Sequence, residues 1–288
     1  MIHIRNDFNN PPEKLLSENC QKLIERSLIE KKKQSSSNNY YGDPNVVNQL
    51  RKLSQDKCSY CEVLSHGGFH VDHYRPLSSV KMIPTHKGYY WLSCEWSNLI
   101  FSCNACNIKK SNQFPIENEF LRVNEPSGDW RADSAQYKME MPLIIHPQMD
   151  HPSEHMTFLP NGMVRDLTKK GQYTIDVCGL NRKDLINKRL KAINEIINLL
   201  YSQIKMFIEK EYDGKQLRTA LCVVFSLLDR RSSSENEFSR LHWIFQAEFE
   251  IFIKDFIPET KALQLVIDAF RWFSVKKSKK IQLKSMFE

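Results

Sequence analysis

WSNLIFSCNACNIKK, Trp96–Lys110, is the stretch from which the fold is read. It opens on turn-forming residues, passes through the apolar Leu99, Ile100 and Phe101, and then places Cys103 and Cys106 three positions apart. A short apolar run of this kind predicts a strand over Asn98–Ser102, and the segment after it a short helix over Asn104–Ser111. A Cys-x-x-Cys unit at a strand–helix junction becomes a metal knuckle when a second unit can close the site. The second unit lies upstream in CSYC, Cys58–Cys61. Four thiolates in two knuckles close a tetrahedral Zn²⁺ site with no open position, a structural site that folds a module too small to hold itself together. The competing reading is four reduced cysteines in turns. In a reducing compartment paired knuckles favour metal over disulfides. Cys20, Cys94, Cys178 and Cys222 have no such partner and are read as small buried apolar residues.

Between the knuckles lies VDHYRPL, Val71–Leu77, whose first half falls in a strand predicted from Phe69 to Tyr74. Phosphodiester hydrolysis needs a base to deprotonate water and a divalent ion to offset the developing charge. A neutral imidazole serves as the base. A carboxylate and an amide oxygen, both hard ligands, suit Mg²⁺ or Mn²⁺. His73, Asp72 and Asn107 supply those parts. Neighbours on a strand face opposite ways, so Asp72 and His73 can share a centre only at a strand end, where Arg75-Pro76 offers a bend. Asn98 can hold the loop bearing His73 through backbone hydrogen bonds. Each residue also has a plainer reading: a structural histidine, a salt bridge from Asp72 to Arg75, a helix cap at Asn107, a turn residue at Asn98. Arg75, Lys109 and Lys110 are candidate phosphate contacts, against the reading that they are merely solvated.

CSYCE, VDHYRP, WSNLIFSCNACNIKK and the following FP together resemble an HNH endonuclease with a ββα-metal core and flanking zinc knuckles, over about residues 58–115. The resemblance implies His73 as general base, Asp72 and Asn107 as ligands of the catalytic metal, and Asn98 as the residue orienting the base loop. The third motif position carries Asn107 rather than histidine, a variant known in the family. Further along, LIIHPQMDHPSEHMTF, NGMV and GQYTIDVCGLNRKDLINKR are similar to the long bacterial HNH proteins encoded beside an ATPase, the PtuB-like nucleases of Septu anti-phage systems and of some retrons. That likeness implies a PtuA-like ATPase partner.

The rest of the chain frames this module. Leu15, Leu16, Leu23, Ile24, Leu28 and Ile29 recur at helical spacing, QSSSNNYYGD reads as a polar connector, and Asp43-Pro44 starts a helix that buries Val46, Val47, Leu50 and Leu53. Tyr89, Tyr90, Trp91 and Trp96 are read as core around the zinc, with base stacking as the alternative. His66 and His70 are read as surface histidines, and His146, Asp150, His151 and His155 as too irregularly spaced for a second metal site. Asn161-Gly162 predicts a hairpin turn, and Asn181 the cap of a long helix through Ile186, Leu190, Ile193, Ile197, Leu200, Ile204 and Ile208. Further helices are expected over 215–229, 236–255 and 260–274.

The fold expected is α+β, with an N-terminal helical element (1–57), the nuclease module (58–125), an irregular short-strand segment (126–180) and a helical C-terminal region (181–288). A length of 288 residues allows a sizeable core in one or two domains. The formal charge of +7 suits a polyanionic partner but is too diffuse to prove one. RWFSVKKSKKIQLK near the C-terminus reads as a solvated basic tail, with a nucleic-acid or partner contact as the alternative. No Gly-rich phosphate loop occurs, which argues against ATP binding by this chain. No leader-like apolar segment or spanning run is read, so a cytoplasmic location is expected. The function expected is metal-dependent cleavage of nucleic acid, DNA favoured, in defence. The rivals are an RNA (tRNA)-cleaving effector and a non-catalytic zinc-stabilised nucleic-acid-binding or adaptor protein.

Overall fold

The computed structural model describes residues 1–285 apart from 6–7, 66–67, 82, 255 and 258–259, and the side chains of 260 and 278–285 are likewise left undescribed. The chain divides into two compact units: 1–157 with 164–182, and 158–163 with 183–288. The first unit therefore unites three of the expected segments: N-terminal element, cysteine-bearing stretch and most of the irregular region.

In the first unit, helix α1 (Glu18–Glu30) and helix α2 (Pro44–Leu53) precede strand β1 (Phe69–His73), strand β2 (Leu99–Cys103) and helix α3 (Asn104–Lys110). Asp43 caps α2 by accepting from the Asn45 amide, with Pro44 in the first turn, as its sequence predicts. β1 and β2 pair antiparallel, in a register that sets Asp72 opposite Ile100 and His73 opposite Leu99. β2 is buried throughout because it is covered on both faces. Leu23 and Ile24 of α1 and Val46 and Leu50 of α2 share one apolar core with Trp96, Leu99 and Phe101. The N-terminal helices are thus part of the wall behind the strands rather than a separate element. Two expected apolar positions, Leu16 and Ile29, lie exposed. The polar connector is itself wound, with a helical turn at Asn38–Tyr41.

The irregular region contributes strands β3 (Met156–Phe158) and β4 (Val164–Asp166), then helix α4 (Lys169–Val177), capped by Thr168. Gly162 takes the left-handed conformation that the hairpin turn requires, at φ +77°.

The second unit is largely helical: α5 (Lys183–Ile208), α6 (Gly214–Arg231), α7 (Ser239–Ala247), α8 (Phe249–Lys254) and α9 (Thr260–Ser285). Its core includes Phe249 and Phe270, stacked at 3.9 Å. The helix expected over 236–255 is broken at Glu248, and the basic C-terminal stretch continues a helix rather than forming a tail. The buried face of α5 takes in Ile193, Ile197, Leu200 and Ile204 as expected, but Leu185 and Arg189 replace Ile186 and Leu190 at its start, and Ile208 is exposed. Asn181 does not cap α5: its carboxamide accepts from the Val164 amide and donates to the Val164 carbonyl, each at 2.8 Å. Among the described residues, no helix is long and apolar enough to cross a membrane.

Candidate functional site

Two centres meet around β1, β2 and α3. The first is made of sulfur. Cys58, Cys61, Cys103 and Cys106 are buried, and their Sγ atoms all lie within 4.8 Å of one another. Cys61 and Cys103 are 3.7 Å apart. Metal–sulfur arms of about 2.3 Å in a tetrahedron give edges of about 3.8 Å, so the four sulfurs fit a Zn²⁺ ion. Their chemistry asks for one. Hydrogen bonds from Cys106, Cys58 and Cys61 pull the Cys103 thiol far below its usual value, whereas burial holds Cys58 far above it. The cluster does not ionise fully by itself, and four thiolates crowded here would need a cation among them. Arg182 adds outer charge by donating to Cys106 Sγ at 3.4 Å and Cys61 Sγ at 3.9 Å. Of the other cysteines, Cys20, Cys94 and Cys178 are buried as expected, but Cys222 is only half-buried.

The second centre is a cleft of about 290 Å³ lined by, among others, Asp72, His73, Asn107, Ser78, Asn112 and Lys33. β1 ends at His73, so Asp72 and His73 reach one cleft despite the alternation of strand neighbours. His73 Nε2 lies 3.0 Å from the Ser93 carbonyl. A carbonyl only accepts, so Nε2 carries the proton and Nδ1 keeps the lone pair. The Tyr41 ring meets the imidazole edge-on at 4.6 Å. Burial pushes the His73 pKa down to about 3, which keeps the ring neutral at physiological pH.

Asp72 is buried and accepts from Tyr60 Oη at 2.8 Å. Lys110 Nζ lies 3.2 Å from each of its carboxylate oxygens. Burial pushes the Asp72 carboxyl up, and Lys110 and Tyr60 draw it back. The backbone of His73 adds a further hydrogen bond to the carboxylate, which also lines the cleft. Asn107 is the fourth residue of α3, inside the helix, and the cap position belongs to Cys103. The helix-cap reading of Asn107 is thereby removed. Asp72 and Asn107 bring a carboxylate and an amide oxygen to one cleft, a donor set that fits Mg²⁺ or Mn²⁺ with room for water or phosphate oxygen.

Asn98, fully buried, ties down the segment after His73. Its Oδ1 accepts from the Arg75 amide at 2.8 Å, and its Nδ2 donates to the Arg75 carbonyl at 3.2 Å and the Leu92 carbonyl at 3.4 Å. Its own carbonyl accepts from the Tyr74 amide at 2.9 Å.

Two of the candidate phosphate contacts are not on the surface. Arg75 is buried, its Nε donating to Glu140 at 2.8 Å and its guanidinium 4.4 Å from the Tyr137 ring centroid. Its partner is therefore neither phosphate nor Asp72. Lys110 is fully buried on Asp72 and also donates to the His73 carbonyl at 2.7 Å. Both positions looked exposed in sequence because their acceptors come from elsewhere in the chain. Lys109 alone of the three is exposed. Tyr89, Tyr90, Trp91 and Trp96 are buried, so they are core rather than stacking platforms. His70 is exposed, His66 lies outside the described residues, and His146 is buried with its Nε2 on the Ser97 carbonyl at 3.0 Å. Tyr60, Lys33, Tyr41 and Arg182 were not singled out by sequence. Only Tyr60 carried a signal, a tyrosine inside a Cys-x-x-Cys unit.

No family model matches the chain. Over 241 residues it is 32% identical to the Septu protein PtuB of Bacillus mycoides (strain KBAB4), an alignment covering 77% of this chain and 78% of that protein. The chain belongs to the PtuB family of Septu proteins. It is also 28% identical over 208 residues to the Septu protein PtuB of Bacillus thuringiensis, covering 69% of this chain and 64% of the relative. A shorter match, 33% over 159 residues, links 53% of the chain to 21% of the Septu protein PtuA of Bacillus mycoides (strain KBAB4).

Proposed function

We propose that this PtuB-family chain is a metal-dependent endonuclease of the HNH type, built on a ββα core and hydrolysing nucleic acid phosphodiesters, DNA in preference, within an anti-phage defence system. The observation that carries the reading is the single cleft shared by Asp72, His73 and Asn107. A binding module has no need of a neutral imidazole, locked in one tautomer, next to two hard oxygen ligands.

In this reading Nδ1 of His73 takes a proton from the attacking water, and the Ser93 carbonyl fixes the ring for that task. Asp72 and Asn107 hold Mg²⁺ or Mn²⁺, which when bound offsets charge on the phosphoryl and leaving oxygens. Asn98 keeps the chain beyond His73 from shifting. The sulfur site holds β2 and α3 against the CSYC turn, and Tyr60 in that turn reaches Asp72 directly. Relatives named PtuA and PtuB support a PtuA-type partner, taken here to be the ATPase that gates cleavage.

The test is incubation of the purified chain, alone and co-expressed with a PtuA-type protein, with plasmid DNA, single-stranded DNA and tRNA in Mg²⁺, Mn²⁺ or EDTA. Divalent-dependent cutting that His73→Ala reduces by about 10²-fold or more, with zinc content and fold retained, supports the proposal. Cutting unaffected by His73→Ala, or none in any mixture, overturns it. Preferential cutting of tRNA corrects the substrate alone.

A further inference from the structure

The cleft has a wall that the cysteine-bearing stretch does not supply. Lys33, just after α1, lines it together with Asp72, His73 and Asn107. Its ammonium lies 3.4 Å from Tyr41 Oη and 5.6 Å from the centroid of the Tyr41 ring. The same ring rests edge-on against His73. Tyr41 thus positions a cation and the imidazole at once.

The charges around the cleft do not cancel. Asp72 is matched by Lys110 beneath it. Among the described residues, no carboxylate pairs with Lys33. One positive charge is left over, facing a cleft whose remaining polar lining is neutral: Ser78, Ser79, Asn107, Ser111 and Asn112. A lone ammonium among neutral hydrogen-bonding groups suits a singly charged diester oxygen, for which lysine acts as a point charge.

We propose that Lys33, positioned by Tyr41, binds a backbone phosphate of the nucleic acid entering the cleft, so that the N-terminal helical element completes the substrate site. The inference rests on the nuclease reading and names a substrate contact within it. It also replaces Arg75 and Lys110, which the fold has turned inward.

The test measures binding of a fluorescein-labelled DNA duplex by the full chain, with its PtuA-type partner where the pair is needed, without added Mg²⁺ or Mn²⁺ over a salt series. Lys33→Gln is expected to lower affinity about tenfold at low salt and to reduce the slope of log K against log salt by about one. Lys33→Arg is expected to keep both. In Mg²⁺ or Mn²⁺ the Lys33→Gln loss should fall on KM more than on kcat. Unchanged affinity and slope in a folded, zinc-loaded Lys33→Gln protein overturn the Lys33 contact while leaving the nuclease reading standing. Failure of the unsubstituted protein to bind or cut any nucleic acid overturns that reading, and this contact with it.

Discussion

Lys110 straddles Asp72, its Nζ 3.2 Å from both carboxylate oxygens, and the pair is buried with side-chain exposures of 0% and 5%. The same ammonium donates to the His73 carbonyl at 2.7 Å. One residue at the end of α3 therefore fixes both members of the Asp72-His73 pair from behind, leaving their other faces to the cleft. A buried ion pair of this kind gains little over a well-packed apolar pair, but either half left alone is expensive.

Lys110→Met is accordingly expected to destabilise the protein by about 3–5 kcal/mol, because the Asp72 carboxylate is left buried without its cation, with Tyr60 as its remaining side-chain donor. Adding Asp72→Asn should recover a large part of that loss without restoring cleavage. Urea unfolding of both single variants and the double variant closes the cycle. Additive costs would show that the two groups do not act as a pair.

The sulfur centre makes a different prediction. The purified protein should carry one zinc per chain, measured by elemental analysis, and Cys58→Ser or prolonged chelation should unfold the first unit rather than merely silence it. Structural zinc contributes on the order of 10 kcal/mol to small folds, so the change should be visible as lost circular dichroism and early thermal unfolding. Arg182→Ala, which removes donors to Cys61 and Cys106, should speed zinc release to a chelator with the fold initially intact.

These centres were legible in sequence to unequal degrees. The knuckles could be read because metal ligation demands residue type and spacing together, and both are local. Asp72, His73, Asn98 and Asn107 could be located because strand alternation and the helix after Cys103 confine where they point. Arg75 and Lys110 could not be placed, since what turns a cation inward is an acceptor elsewhere in the chain: Glu140 for one, Asp72 for the other. Tyr41 sat in a stretch that reads as a polar connector and Lys33 immediately before it, and only tertiary packing brings Lys33 to the cleft and Tyr41 against His73. Asn181 looked like a helix cap by local rules, yet it pairs with the backbone of Val164. Residue type and period set the local elements, while charge partners are decided by contacts that sequence spacing does not encode.

His146 gives the stability of the first unit a pH dependence. It is buried against Tyr74 and Phe8, and burial lowers its pKa to about 4 from an unfolded value near 6.5. A depressed histidine binds its proton more readily in the unfolded chain. Its contribution is therefore complete above about pH 6.5 and is lost as pH falls toward 4. Unfolding free energy measured by urea titration from pH 7.5 to 4.5 should fall across that window. His146→Gln should be less stable at neutral pH but lose less on acidification. An unaltered slope in that variant would assign the effect to other groups.

Asn98 offers the sharpest separation of structure from chemistry at the candidate site. Its carboxamide satisfies the Arg75 amide and two carbonyls, all buried. Asn98→Ala leaves the Arg75 amide without an acceptor and should cost about 1–3 kcal/mol of stability. Asn98→Asp keeps an acceptor for that amide but loses the donor to the Arg75 and Leu92 carbonyls and sets a charge among them. Since His73 stands two residues before Arg75, both variants should lower kcat at unchanged zinc content, with KM for nucleic acid moved much less. The comparison requires cleavage kinetics well below each variant's unfolding temperature. A loss confined to KM would mean that Asn98 shapes the substrate groove and does not hold the imidazole in place.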